Sequence, residues 1–269
     1  MSIYYDTFGF DDGPALLLLC GLGSQVLFWH EEFCYSLVDR GFYVVRLDNR
    51  EAGLSGNTPG EAPFTLSDMA ADVVAVIDAL GVNAAHVCGQ SLGGMIAQHV
   101  AIEHPSRVLS LVSISASTGN LEVGKPTDEA LAALTDTPAS SRDEQIELDI
   151  AHRRVWASPS WFDDELAREY FTACYDRAHR PTASMRHFAA MLESGSRDDA
   201  LPALDMPTLV IHGALDPLIA PDAGTRLASL IPVAELLMIE GMGHDLPMQA
   251  WQQVISAITT LASSAAGEG

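Results

Sequence analysis

The sequence carries very little positive charge. Lysine occurs once, at Lys125, every other basic residue is arginine, and 36 acidic residues face 14 basic ones for a formal net charge of −22. Such a surface repels phosphate backbones and anionic lipid, which argues against nucleic acid or a membrane as partner. It favours solubility and is compatible with a homodimer. Long hydrophobic runs are also missing. The longest clean one, Ala15–Cys20, is strand-sized, far short of the roughly 20 apolar residues of a membrane span. The first residues, Met1-Ser2-Ile3-Tyr4-Tyr5-Asp6, show neither a basic n-region nor an apolar h-region, so no secretory signal is read and a cytoplasmic protein is expected. Cysteine is scarce: Cys20, Cys34, Cys88 and Cys174 form no CxxC pair and read as thiols rather than a disulfide framework. None of the nine histidines falls in HxH, HExxH or a Cys/His cluster, so no metal site is expected.

What is present is apolar residue in short, punctuated runs. With 269 residues, 48% of them hydrophobic, the chain can build a sizeable core as one large domain or two small ones. Ala15–Cys20, Phe42–Leu47, Ala84–Cys88, Val108–Ile114, Thr208–His212 and Ala234–Ile239 are aliphatic runs bounded by Gly, Pro, Asn or Asp, the signature of buried parallel strands. Between them lie 3.6-residue periods. Over 67–80, Ser67 is placed as N-cap and Met69, Val73, Val76, Ile77 and Leu80 share a face, closed by Gly81. Residues 92–103 and 247–262 are also helical by pattern. Strand and helix in alternation predict a doubly wound α/β sheet, with functional groups in loops at the carboxyl ends of strands. Residues 119–203 interrupt this alternation with helices near 127–135, 142–156, 163–178 and 182–194 and no strand. They are read as an inserted helical lid between core segments 1–118 and 204–269.

The sharpest local signal is Gly89-Gln90-Ser91-Leu92-Gly93, between a predicted strand and a predicted helix. That context puts Ser91 on a tight turn with its hydroxyl standing clear of the sheet, at a helix N-terminus. A serine hydroxyl needs a base. His244, in Gly241-Met242-Gly243-His244-Asp245 just past a strand, supplies one. His86, His99 and His104 read as strand or helix residues, and His152, His179 and His187 as lid residues. The carboxylate that orients the base is assigned to Asp216, directly after Thr208–His212. Asp245 is a neighbour of His244 that rarely reaches this geometry, and Asp222 reads as a helix cap or first-turn acid. Oxyanion donors are assigned to the backbone N–H of Leu22, in the glycine-rich loop after Ala15–Cys20, and of Leu92. Gln25, Trp29 and His30 follow that loop as pocket candidates, Trp29 reading equally as a core residue.

With these stretches, and with Trp29 to Cys34, Arg46 to Arg50, Gly53-Leu54-Ser55 and Gly241 to Pro247, the chain resembles α/β-hydrolases along essentially its whole length, in particular bacterial hydrolases grouped with aclacinomycin methylesterase. The resemblance implies an eight-stranded sheet with a helical cap over Ser91, and ester hydrolysis with no cofactor. It assigns Ser91, Asp216 and His244 as nucleophile, acid and base. There are departures: Cys20-Gly21 stands where many relatives carry His-Gly to brace the oxyanion loop, and Glu51-Ala52 where many have glycine. Asp48 and Arg50 resemble a turn motif whose role is ionic and structural. Cys20 and Cys88 end strands that are neighbours in this fold, and are expected within contact distance as reduced thiols.

The expected activity is hydrolysis of a small carboxylic ester, neutral or hydrophobic because the lid is rich in apolar and aromatic residues. Serine at position 91 excludes dehalogenase and epoxide hydrolase chemistry, which needs a carboxylate there. The same triad also serves perhydrolases or haloperoxidases, lactonases and C–C bond hydrolases, and the fold can act as a ligand receptor with vestigial turnover.

Overall fold

Four consecutive leucines, Leu16 to Leu19, are wholly buried, which requires a strand covered on both faces. In the computed structural model, which describes residues 2–267, they form β2 (Ala15–Leu19), next to β3 (Tyr43–Leu47) and β4 (Ala85–Gln90). With β1 (Tyr5–Phe8), β5 (Val108–Ile114), β6 (Thr208–Gly213) and β7 (Ala234–Ile239) they make a seven-stranded sheet ordered β1-β3-β2-β4-β5-β6-β7. All pairings are parallel except β1 with β3.

The sheet therefore has seven strands among the described residues, not the expected eight. The residues ahead of β1 bond instead to the loop after β3, Tyr4 O accepting from Asp48 N at 3.0 Å and Ser2 O from Gly56 N at 2.9 Å. They run past the sheet edge and add no strand. Strand β1 carries no aliphatic run that would mark it in the sequence, being a four-residue edge segment in which only Phe8 is buried.

The period of two in a strand sends successive side chains to opposite faces, and two cores result. Leu17, Leu19, Val45, Val87 and Val210 meet Leu66, Met69, Val73 and Ile77 of α2 (Leu66–Ala79) and Ile96 and Val100 of α3 (Leu92–Glu103). Leu16, Leu18, Val44, Val112 and Ile211 meet Phe33 and Leu37 of α1 (Glu31–Val38) and Val254 and Ile258 of α9 (Met248–Gly267). Helix α2 starts two residues earlier than a Ser67 N-cap predicts. Thr65 is its N-cap, in a reciprocal capping box with Asp68, while Ser67 Oγ donates to Glu103 at 2.6 Å.

Between β5 and β6 run α4 (Asp128–Leu134), α5 (Arg142–Trp156), α6 (Asp164–Arg177) and α7 (Ala183–Ser194). Helices α5 and α6 share a small apolar cluster of Ile146, Ile150 and Ala167 with Phe162, Phe171 and Tyr175 packed on it. Helix α8 (Asp222–Leu230) precedes β7. No helix of the described residues is long and apolar enough to cross a membrane.

Candidate active site

Strand β4 ends at Gln90 and α3 begins at Leu92, so Ser91 alone makes the turn. Its φ of 55° and ψ of −120° lie in a region that a residue with a Cβ enters only under strain. The flanking glycines follow from close packing. A Cβ on Gly89 would lie 2.1 Å from Gly93 O, and one on Gly93 would lie 2.3 Å from Leu19 O. The turn is held by Ser91 N donating to Ile114 O at 2.8 Å.

His244 arrives on the loop after β7. Its backbone N–H donates to Trp156 O at 2.7 Å and its carbonyl accepts from Gln90 Nε2 at 3.0 Å. These bonds hold the ring with Nε2 2.9 Å from Ser91 Oγ and Nδ1 2.7 Å from Asp216 Oδ2. Asp216, in the loop after β6, is buried. Its Oδ1 accepts from Leu218 N at 2.9 Å and Ile219 N at 2.8 Å, leaving Oδ2 for the imidazole. Hydroxyl, imidazole and carboxylate thus line up as donor, relay and acceptor, the arrangement that activates a serine.

The two carboxylates weighed against Asp216 are engaged elsewhere. Asp245 Oδ1 accepts from Ser158 N at 2.9 Å and Ser158 Oγ at 2.5 Å. Asp222 lies in the first turn of α8 and accepts from Gly124 N at 3.0 Å.

The loop after β2 turns through a hydrogen bond from Ser24 N to Gly21 O at 3.2 Å. The Leu22 N–H meets no acceptor among the described residues, and Leu92 N–H belongs to the free first turn of α3. Both residues line the cavity that holds Ser91 and His244. The brace expected from a histidine ahead of this loop comes from elsewhere: Gly23 N donates to His187 Nδ1 at 3.1 Å, and His187 Nε2 lies 2.7 Å from Arg50 O. The carbonyl requires a proton on Nε2, so Nδ1 is the acceptor. His187 is wholly buried, on α7, and burial lowers its pKa. The sequence reading left it among ordinary lid residues. A histidine in a helical pattern carries no mark of a partner 164 residues away.

Asp48, wholly buried, accepts from Val26 N at 2.7 Å and Leu54 N at 2.9 Å and pairs with Arg177 of α6 at 2.8 Å. Arg50 pairs with Asp72 at 2.6 Å. Both are ionic and structural, through separate partners.

The cavity has a volume of about 650 Å³. Phe28, Met95, Trp156, Phe188 and Met191 contribute apolar wall, and Arg153 a charge. Gln25 lines it too, yet its amide is engaged, Nε2 donating to Cys174 O and Ala178 O and Oε1 accepting from Arg177. Trp29 is not a pocket residue. It is fully buried in the core beside Phe33, because the short 3-10 turn Val26–Phe28 directs it under the sheet. His30 caps α1 and lies tilted against Trp251, at 5.5 Å between centroids. Cys88 pairs in register with Leu18, two residues before Cys20, and both thiols are free and buried. Among the described residues no group of His, Cys, Asp and Glu could hold a metal ion.

Residues 14–250 match a sequence model of the alpha/beta hydrolase fold. The chain is 31% identical to rhodomycin D methylesterase DnrP of Streptomyces peucetius, over 92% of this chain and 90% of that protein. It is 28% identical to 3-oxoadipate enol-lactonase 2 of Acinetobacter baylyi, over 96% and 93%. Among solved structures, the enol-lactonase from Burkholderia xenovorans LB400 superposes with a TM-score of 0.77 at 22% identity, covering 97% of this chain and 96% of that one, a likeness of fold.

Proposed function

The chain belongs to the α/β-hydrolase fold family and is a hydrolase acting on ester bonds, and we propose that it works through Ser91, His244 and Asp216 by an acyl-enzyme route. The observation that carries this reading is the unbroken relay from Ser91 Oγ through His244 to Asp216, at 2.9 and 2.7 Å.

His244 Nε2 takes the proton of Ser91 as Oγ forms a bond to the ester carbonyl carbon. The carbonyl oxygen becomes an oxyanion facing the Leu22 and Leu92 N–H groups, each worth roughly 2.7–4 kcal/mol in the transition state. Asp216 holds Nδ1–H and stabilises the imidazolium. Collapse of the intermediate breaks the carbon–oxygen bond to the alcohol, which leaves with the proton from His244. Water then attacks the acyl carbon, gives its proton to His244, and Ser91 is released with its proton restored. A lactone is an internal ester, and the same steps open it.

Helices α4–α7, within residues 119–203, act in this reading as a cap over Ser91. Their apolar and aromatic lining supports a small ester with an apolar body. The test is Ser91→Ala. It abolishes turnover of p-nitrophenyl acetate and labelling by a fluorophosphonate; labelling that persists in the variant overturns the assignment.

A further inference from the structure

Arginine carries five N–H donors, and burying them without acceptors is costly. Arg46 with Asp6, Arg50 with Asp72 and Arg186 with Glu51 each set a guanidinium on a carboxylate, as does Arg177 with Asp48, although Arg177 Nη2 is left buried without a partner of its own among the described residues. Arg153, on α5, departs from this pairing. Its Nε is buried without an acceptor, and no carboxylate of the described residues lies within ion-pair distance. What surrounds it is aromatic: the guanidinium carbon is 5.4 Å from the Phe171 ring centre, 5.5 Å from Tyr170 and 6.0 Å from Phe28. Ring faces stabilise the charge but leave the N–H edge without oxygen acceptors.

The other charges of the cavity are engaged. Lys125 pairs with Glu122 at 3.1 Å, Arg180 donates to Gly53 O at 3.1 Å, and Asp136 faces His152 at 3.2 Å. Asp149, one turn before Arg153, accepts from Gln145 at 2.9 Å; burial raises its carboxyl pKa, opposed by that hydrogen bond and by the nearby charge of Arg153. Arg153 is therefore the cation of this cavity that lacks an oxygen partner among the described residues.

It lines the same cavity as Ser91 and His244. Three residues, about 4.5 Å along the helix axis, separate it from Trp156, whose carbonyl holds the His244 backbone. Phe28 brings the turn beside the oxyanion loop against its other side. We propose that Arg153 receives a carboxylate carried by the substrate, so that the protein acts on anionic esters, such as half-esters of dicarboxylic acids, with the charge set back from the scissile carbonyl. This rests on the hydrolase reading and narrows the neutral substrate expected from the sequence. The planar fork of a guanidinium matches a carboxylate bidentately. The acidic surface slows an anion's encounter, but that field is screened beyond about 8 Å at physiological ionic strength, whereas Arg153 acts on the bound ester.

The test compares mono-p-nitrophenyl glutarate with a neutral p-nitrophenyl ester of equal chain length, as a ratio of kcat/KM within each protein, so that a loss of folded enzyme cancels. Wild type favours the anionic ester; Arg153→Met lowers the ratio about tenfold or more, the size of one charge-assisted hydrogen bond, and Arg153→Lys recovers part of it. A wild-type ratio at or below one, or a ratio unchanged in Arg153→Met, overturns the proposal. Calorimetric titration of monomethyl glutarate into Ser91→Ala, with and without Arg153→Met, reads the same contact without turnover. Binding lost with Arg153 supports the proposal even where no ester is hydrolysed, an outcome that would count against the hydrolase reading alone. Equal binding by both proteins overturns it.

Discussion

The backbone N–H of Gly23 donates to Nδ1 of His187 at 3.1 Å, joining the oxyanion loop to helix α7. Cys20 stands ahead of the loop where many relatives carry a bracing histidine, and here a histidine of α7 bonds the loop. His187 is in turn fixed by Arg50 O at 2.7 Å, so the imidazole is held at both nitrogens. His187→Leu removes the acceptor and leaves Gly23 N–H free to move the loop. We expect kcat on p-nitrophenyl acetate to fall about tenfold to a hundredfold, less than direct loss of an oxyanion donor. KM should change little, because the oxyanion contact exists only in the transition state. A kcat within twofold of wild type, in a protein with unchanged circular dichroism, would remove His187 from the bracing role.

Asp216, 28 residues before His244, and Asp245, next to it in the chain, do different work. Asp216 accepts Nδ1–H, so Asp216→Asn should lower kcat by on the order of 10⁴ through the wrong histidine tautomer, with the fold intact. Asp245 accepts two bonds from Ser158 and none from the ring. Asp245→Asn should therefore cost stability, about 1–3 kcal/mol for disturbed buried acceptors, with kcat reduced far less than in Asp216→Asn. Kinetics and urea unfolding of both variants separate the two roles. A loss under tenfold in Asp216→Asn would reassign the orienting carboxylate.

The residues of the candidate site were legible because each is marked locally. Gly89 to Gly93 encodes a turn whose close contacts forbid side chains, and Asp216 and His244 each sit directly after a strand-length aliphatic run. The paired faces of β2 were legible for the same reason, since four leucines in a row admit only a strand covered twice. What stayed hidden depends on contacts distant in sequence. The partners of His187 and Arg153 are chosen by how α5 and α7 settle against the loop after β2, and helical periodicity says nothing of that. Trp29, by its place after the oxyanion loop, reads equally as pocket or core, and the turn at Val26–Phe28 sends it into the core. Strand β1 was missed because Tyr5–Phe8 is an edge segment with one buried residue, too weak a pattern to stand out from a loop.

The strained turn at Ser91 should be measurable as stability. At φ 55° and ψ −120° a Cβ is unwelcome, and glycine meets no such penalty. Ser91→Gly should unfold later than Ser91→Ala, by about 1 kcal/mol or roughly 2–4 °C in Tm, although both are inactive. Alanine is the proper reference because it also lacks the hydroxyl and differs from glycine only by the Cβ. Equal melting temperatures would mean that the surrounding glycines relieve the strain without help.

Acid sensitivity should trace in part to His86. Its ring is buried in β4 against Phe42, with Nδ1 2.8 Å from Ser110 Oγ, and burial lowers its pKa from 6.5 to about 4. Between those values the unfolded chain binds a proton that the folded one refuses, so stability is complete above the unfolded pKa and falls as pH drops toward the folded one. By about pH 5 the loss from this residue reaches about 2 kcal/mol relative to neutral pH. His86→Leu removes that titration, though it also removes the bond to Ser110 and so shifts the baseline at every pH. The informative quantity is the slope: urea midpoints taken between about pH 7 and pH 5 should fall less steeply in the variant than in wild type. Parallel slopes would show that His86 is neutral or charged alike in both states, and would move the acid sensitivity to other buried histidines, His99, His187 and His212, whose pKa values burial also lowers.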